Sequence, residues 1–172
     1  MGIRYYAHAN NAAEAEPVEG PATAVSDDPW GFAPGSLGVL DAGFEEEEEE
    51  YDFERDTLYL DKAWSLLERV TRPQFGESAR PAHRMFDGHP TMTKRGDYVP
   101  FVRVLTPAEV SAAAADIAEL SDAEVAERLG PEAPFGTTRS DDVEYALQYL
   151  RDARSFMADL AARGRGMTYT IG

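Results

Sequence analysis

Cysteine is absent from the 172 residues, which removes disulfides, thiolate metal ligands and thiol nucleophiles together and fits a reducing compartment. No apolar run approaches the roughly 18 residues that a membrane span requires, and no basic stretch followed by an apolar one opens the chain. The expected setting is the cytoplasm, without membrane contact. Met1-Gly2 begins like a myristoylation signal, but Tyr6 stands where that signal needs serine or threonine. Positive charge is scarce as well: sixteen basic residues against thirty-two acidic give a net charge of −16. Deleting Glu45 to Glu50 would remove only six of those negative charges, so the acidity is global. Such a field repels phosphate backbones and anionic lipid heads, which argues against a nucleic-acid partner. Also missing are a Gly-x-Ser-x-Gly elbow, a Walker loop and a dinucleotide fingerprint. Ser36, in Pro34-Gly35-Ser36-Leu37-Gly38, falls one glycine short of the elbow and reads as a turn. No cofactor and no catalytic residue is expected.

Hydrophobic residues make up 43% of the chain and aromatics 10%, enough for a folded body, and the length suits one domain spanning residues 1–172. Ile3 to Ala7 alternates as a strand would, with Ile3, Tyr5 and Ala7 on one face, and Met167 to Ile171 alternates apolar with hydroxyl side chains in period two. The two terminal strands are expected to pair in one sheet. Residues 10–40, broken every few positions by proline or glycine, read mostly as loop, with Trp30 and Phe32 tacking it to the body. Residues 41–56 carry ten acids against Arg55 alone and read as an acidic loop.

A helical stripe at Leu60, Ala63, Trp64, Leu67 and Val70 predicts a helix from about residue 57, capped by Asp56 and ending before Arg72-Pro73. Residues 72–103 are irregular, with Tyr98 to Leu105 extended. Thr106-Pro107-Ala108-Glu109 is a capping box with Leu105 and Val110 as its hydrophobic staple. Ser121-Asp122-Ala123-Glu124 repeats the device with Leu120 and Val125, and Gly130-Pro131 ends that helix. A third helix is predicted from Ser140 or Asp141 to Gly164. It carries one stripe of Val143, Ala146, Leu147, Leu150, Ala153, Met157 and Leu160 and a second of Tyr145, Tyr149 and Phe156. Arg163-Gly164-Arg165-Gly166 is its C-cap. The expected fold is α+β: a small sheet including both terminal strands, packed against several helices, with the long C-terminal helix of about residues 141–163 at the centre.

Candidate sites are few. His83 and His89 flank Asp87 without the spacing of a zinc motif, so ordinary loop histidines are the simpler reading and no metal site is expected. Residues 72–103 carry six basic side chains against Glu77, Asp87 and Asp97, a local balance of +3. Guanidinium forks bind carboxylate or phosphate in two places at once, so Arg84 and Arg103 are candidate clamps for a small anion, with His83 as general acid or base. The plainer alternative pairs these arginines with the surplus carboxylates. Asp61 and Lys62 are adjacent and do not face each other, so each needs a partner elsewhere. With Trp64 as a wall, they would complete the ligand pocket.

Several segments carry a resemblance to a known family: Met1-Gly2-Ile3-Arg4-Tyr5-Tyr6-Ala7, Leu58-Tyr59-Leu60-Asp61-Lys62-Ala63-Trp64, Arg80-Pro81-Ala82-His83-Arg84-Met85-Phe86, Val102-Arg103-Val104-Leu105-Thr106-Pro107-Ala108-Glu109-Val110, and Tyr169-Thr170-Ile171-Gly172. Together they resemble the YfbM-like family, a bacterial domain of unknown function. The resemblance implies an α+β fold and a cytoplasmic bacterial protein and supplies no reaction or catalytic residues. Residues 10–25, where relatives place a helix, depart from it with an Ala/Glu/Pro-rich stretch. Two functions follow as expectations: a non-enzymatic interaction or regulatory protein offering an acidic surface to a basic protein partner, and, as the alternative, a domain binding a small anionic ligand between the Asp61–Trp64 helix and the Arg80–Arg103 segment.

Overall fold

The computed structural model describes residues 3–11, 19–21, 52–94, 98–130 and 139–172. Most of the expected loop at 10–40, Ser36, and the run Glu45 to Glu50 lie outside these residues. In chain order the elements are strands β1 (Tyr5–Asn10) and β2 (Glu19–Pro21), helix α1 (Phe53–Asp56), strand β3 (Thr57–Asp61), helix α2 (Ala63–Thr71) and a 3-10 helix (Pro81–Met85). Strands β4 (Thr91–Met92), β5 (Tyr98–Val99) and β6 (Phe101–Leu105) follow, then helices α3 (Pro107–Glu119), α4 (Asp122–Leu129) and α5 (Arg139–Ala162), and strand β7 (Gly166–Ile171).

The fold is α+β. Five strands form one antiparallel sheet in the order β2-β6-β7-β1-β3, and β4 pairs with β5 in a separate small ribbon. The terminal strands are neighbours, in register from Tyr5 opposite Ile171 to Asn10 opposite Gly166. Alternation sorts the sheet into two faces. Tyr5, Ala7, Leu58, Leu60, Leu105, Met167, Tyr169 and Ile171 are buried beneath the helices. On the opposite face, Tyr6, His8 and Tyr59 are exposed and Val102, Val104, Thr168 and Thr170 half-buried. One hydrophobic core joins the sheet to α2, α3, α4, α5 and the 3-10 helix.

Two expectations need correction. Residues 57–61 form a strand rather than the first turn of a helix, and α2 begins only at Ala63, with Lys62 at its N-cap making no side-chain cap bond. Leu60 fits period two with Leu58 as well as the helical stripe, and pairing with β1 decides for the strand. Residues 53–56, expected in the acidic loop, form the single turn α1, capped by Asp52, whose side chain accepts from the Glu54 and Arg55 amides. Asp56 is therefore the end of one helix and not the cap of another. Within the expected loop, residues 19–21 pair with β6 as a short strand.

The helices of the second half follow their sequence signals. Both arms of the Thr106–Glu109 capping box are present, Ser121 accepts from the Glu124 amide, and the staple residues Leu105, Val110, Leu120 and Val125 are all buried. In α5, Ala146, Leu150, Ala153, Met157 and Leu160 are wholly buried and Phe156 nearly so, while Val143, Tyr145, Leu147 and Tyr149 are half-buried. Gly164 ends it at φ +62°, where a side chain would be strained. The Arg165 amide reaches back to the Leu160 carbonyl at 3.0 Å, the closing bond of a Schellman turn. No described helix is long and apolar enough to cross a membrane.

Candidate functional site

The sequence-predicted residues fall into two groups. The first is built around Asp61. A bulge in the β1–β3 pairing falls between Tyr5 and Tyr6, so that Tyr5 lies opposite Asp61 and Tyr6 opposite Tyr59. Asp61 takes φ +45°, a left-handed conformation that aspartate tolerates better than most residues. Bulge and turn together bring its carboxylate to the sheet edge, where both layers reach it. From one side Arg4 Nη1 donates to Oδ1 at 2.6 Å and the Tyr59 hydroxyl at 3.0 Å, and Arg4 also donates to the Tyr59 hydroxyl. From α5 the Tyr145 hydroxyl donates to Oδ2 at 2.9 Å.

Partial burial by itself would raise the Asp61 pKa, but the Tyr145 and Tyr59 hydroxyls and the Arg4 charge outweigh it and hold the carboxyl below its ordinary value. Burial and the bond to Asp61 push the Tyr145 phenol well up, so it stays a neutral donor. Tyr6 packs on Tyr59 with ring centres 4.9 Å apart, and Tyr149 sets its edge to Tyr145 at 5.0 Å. The result is an anionic oxygen pair inside a ring of tyrosines, with Arg4 as its counter-ion.

The second group surrounds the end of the 3-10 helix, whose last carbonyls need donors. Two buried tyrosines from the sheet supply them. Tyr5 donates to the Met85 carbonyl at 2.8 Å, and the Tyr169 hydroxyl lies 2.8 Å from the Arg84 carbonyl and 2.5 Å from that of Asp87. Their rings stack at 5.1 Å, and burial raises both phenols far above the usual range. Arg103, nearly buried on β6, places Nη1 3.2 Å from Asp87 Oδ2 and its guanidinium over the Phe101 ring. His83 is 14% exposed at its side chain, with Nε2 3.9 Å from Asp87 Oδ1. Its Nδ1 lies 3.3 Å from Thr71 Oγ1, a hydroxyl that itself donates to the Leu67 carbonyl at 2.9 Å. Arg84 is half exposed and pairs with Glu109 at 2.9 Å, in the capping box of α3.

These groups stand apart. Asp61 and Arg103 sit on strands three positions apart in the sheet, about 14 Å at about 4.8 Å per strand. Trp64 is buried and its ring lies 5.8 Å from that of His89, centre to centre. Lys62 is exposed. Among the described residues, no group of three or more His, Cys, Asp or Glu side chains is placed to hold a metal ion.

Three features escaped the sequence reading. The carboxylate of Asp56, with no exposed surface, receives Arg163 at 2.7 Å, Arg55 at 3.5 Å and Arg165 at 3.6 Å, and the Asp52 amide at 2.9 Å. Only Asp56 and Arg55 are neighbours in sequence, so nothing local announces the node. Beside it a cleft of about 480 Å³ runs between β3 and α5, lined by Thr57, Leu58 and Tyr59 on one side, Asp152, Phe156 and Asp159 on the other, and Glu54 at one end. A second cleft of about 310 Å³ lies between α2 and α4. There Arg80 grips Asp116 through Nε and Nη2 at 2.9 to 3.2 Å and meets Glu124 at 2.9 Å, and Arg128 pairs with Glu124 and Glu77.

No curated protein and no solved structure matches the chain. A family model described as "Domain of unknown function (DUF1877)" matches residues 23–170, which takes in the described elements from α1 to α5 and all of β7 but its last residue. By that match, and with an α+β fold that carries it, the chain belongs to the DUF1877 family, a domain of unknown function.

Proposed function

We propose that this chain is a non-enzymatic interaction or regulatory protein whose acidic exterior docks a basic protein partner. The observation that carries the reading is how its cations are spent. Arg4, Arg72, Arg80, Arg84, Arg103, Arg128 and Arg163 each lie against a carboxylate of the same chain. Exposed Glu54, Glu119, Asp122, Glu127, Glu144 and Asp152 take no part in those pairs. The outward field is therefore that of the acids, and such a field speeds association with a basic partner and weakens with salt. The alternative, an anionic small molecule held by His83, Arg84 and Arg103, draws less support because Arg84 and Arg103 already hold Glu109 and Asp87. The likeness to the YfbM-like family, with the bacterial and cytoplasmic setting it implies, belongs to the same proposal.

The test is a pull-down with the immobilised chain at about 20 and about 300 mM NaCl, across which the screening length shrinks several-fold. A partner retained at low salt and lost at high salt is expected, and charge reversal at Glu119, Glu127 and Glu144 should weaken its capture. Absence of any salt-sensitive partner overturns the reading.

A further inference from the structure

Among the described residues the sheet ends in two edge strands, β2 and β3, and the longer of them, β3, borders a groove. Among the described residues β3 pairs only with β1, and the groove has residues of β3 along one wall and residues of α5 along the other. Exposed strand edges are templates for pairing, and proteins that do not use them protect them with charge, proline or cover. The β3 edge has no proline. Its charges stand across the groove on α5 and α1 instead: Asp152 and Glu54 are exposed, and Asp159 is half-buried beside Arg163. The one cation in the lining, Arg55, sits 3.5 Å from Asp56.

We propose that the β3–α5 groove receives an extended cationic segment of the partner by strand addition, its backbone pairing with β3 and its basic side chains pointing at Asp152, Asp159 and Glu54. This deepens, and rests on, the acidic-docking reading above. In an added strand alternate side chains take opposite faces. One set meets the carboxylates of α5; the other lies beside Tyr59, 39% exposed on the open face of the sheet. The preferred segment therefore alternates basic and apolar residues. Backbone hydrogen bonds supply affinity with little regard to sequence, and the carboxylates select for charge.

The probe is a fluorescein-labelled heptapeptide of alternating lysine and valine, followed by anisotropy at low salt and by amide exchange of the full chain. Saturable binding is expected, with slowed exchange at Thr57 to Leu60. Two further peptides, N-methylated at the lysines or at the valines, separate strand pairing from simple attraction, and the set whose amides face β3 should bind about tenfold more weakly. Glu54→Lys with Asp152→Lys should weaken binding by at least as much; both side chains are exposed, and Glu54→Gln with Asp152→Asn serves as the milder pair if the reversals lower the melting temperature. If the plain peptide binds while both methylated forms bind equally well and protection appears away from β3, the groove is refuted and the acidic-docking reading survives. If no basic peptide binds at low salt while the pull-down still captures a salt-sensitive partner, the groove alone is refuted; if neither is seen, both readings fall.

Discussion

Asp56 shows how much one side chain can hold without any exposed surface. Burial alone would raise its pKa, but the Asp52 amide and the guanidinium groups of Arg163 and Arg55 outweigh that cost and hold the carboxyl below its ordinary value. Asp61 and Asp116 are shifted the same way, each against the opposing effect of burial. A carboxyl depressed in the folded state stabilises fully above its unfolded pKa of about 3.9 and loses that contribution as pH falls through the folded value. Stability is therefore expected to be level toward neutrality and to fall below about pH 4. Asp56→Asn leaves Arg163 and Arg165 facing a neutral amide in the interior, a loss of about 3 kcal/mol at pH 7. Urea midpoints at neutral and acid pH check this: the variant should be weaker at pH 7 and show a shallower decline on acidification. Parallel declines would mean that Asp56 does not carry the linkage. In sequence Asp56 reads as a helix cap within an acidic stretch, because two of its three cations, Arg163 and Arg165, come from 107 and more residues away.

At the scale of elements, legibility tracked how local the determining contacts are. The capping box of α3, the Ser121 cap of α4 and the glycine end of α5 involve residues within a few positions of one another, and the structure follows them. In the 57–71 stretch Leu60 satisfies two periodicities, alternating with Leu58 and lying on the helical stripe, and the choice between them is made by β1, some fifty residues earlier. The 3-10 helix was invisible for the same reason: its carbonyls are satisfied by Tyr5, Tyr169 and Arg103 from three strands of the sheet. The turn that follows it depends on Gly88, which has φ +128° and would bring an added Cβ within 2.3 Å of the Phe101 ring. Gly88→Ala is expected to cost about 2 kcal/mol, from backbone strain and the clash together. Phe101→Leu in the same background should recover the steric part and leave the strain. A double-mutant cycle in urea reads the coupling directly, and additive losses would show that the ring is not what excludes the side chain.

For the whole molecule, the pairing of the two termini was readable because each end alternates strictly, and it leaves β1 and β7 in the middle of the sheet, between β3 and β6. The candidate site was not readable at this scale: residues grouped by charge in sequence divide between a sheet edge and the centre of the fold, and the cleft beside β3 is made by elements about a hundred residues apart. What unites the body is α5, which packs on α2, α3, α4, β3 and β7. At 24 residues it is about 36 Å long, with buried side chains from Ala146 to Leu160. A helix contacting that many neighbours cannot open without separating them, so its amides should exchange only through global unfolding, whereas the β4–β5 ribbon and the free edge of β3 should open locally. Native-state hydrogen exchange in low denaturant distinguishes these modes. Amides from Leu150 to Leu160 are expected to show the slowest exchange, with a denaturant dependence matching that of global unfolding. Exchange there as fast as in the β4–β5 ribbon would mean that α5 is a peripheral rod, and the groove it forms with β3 would then lose its fixed wall.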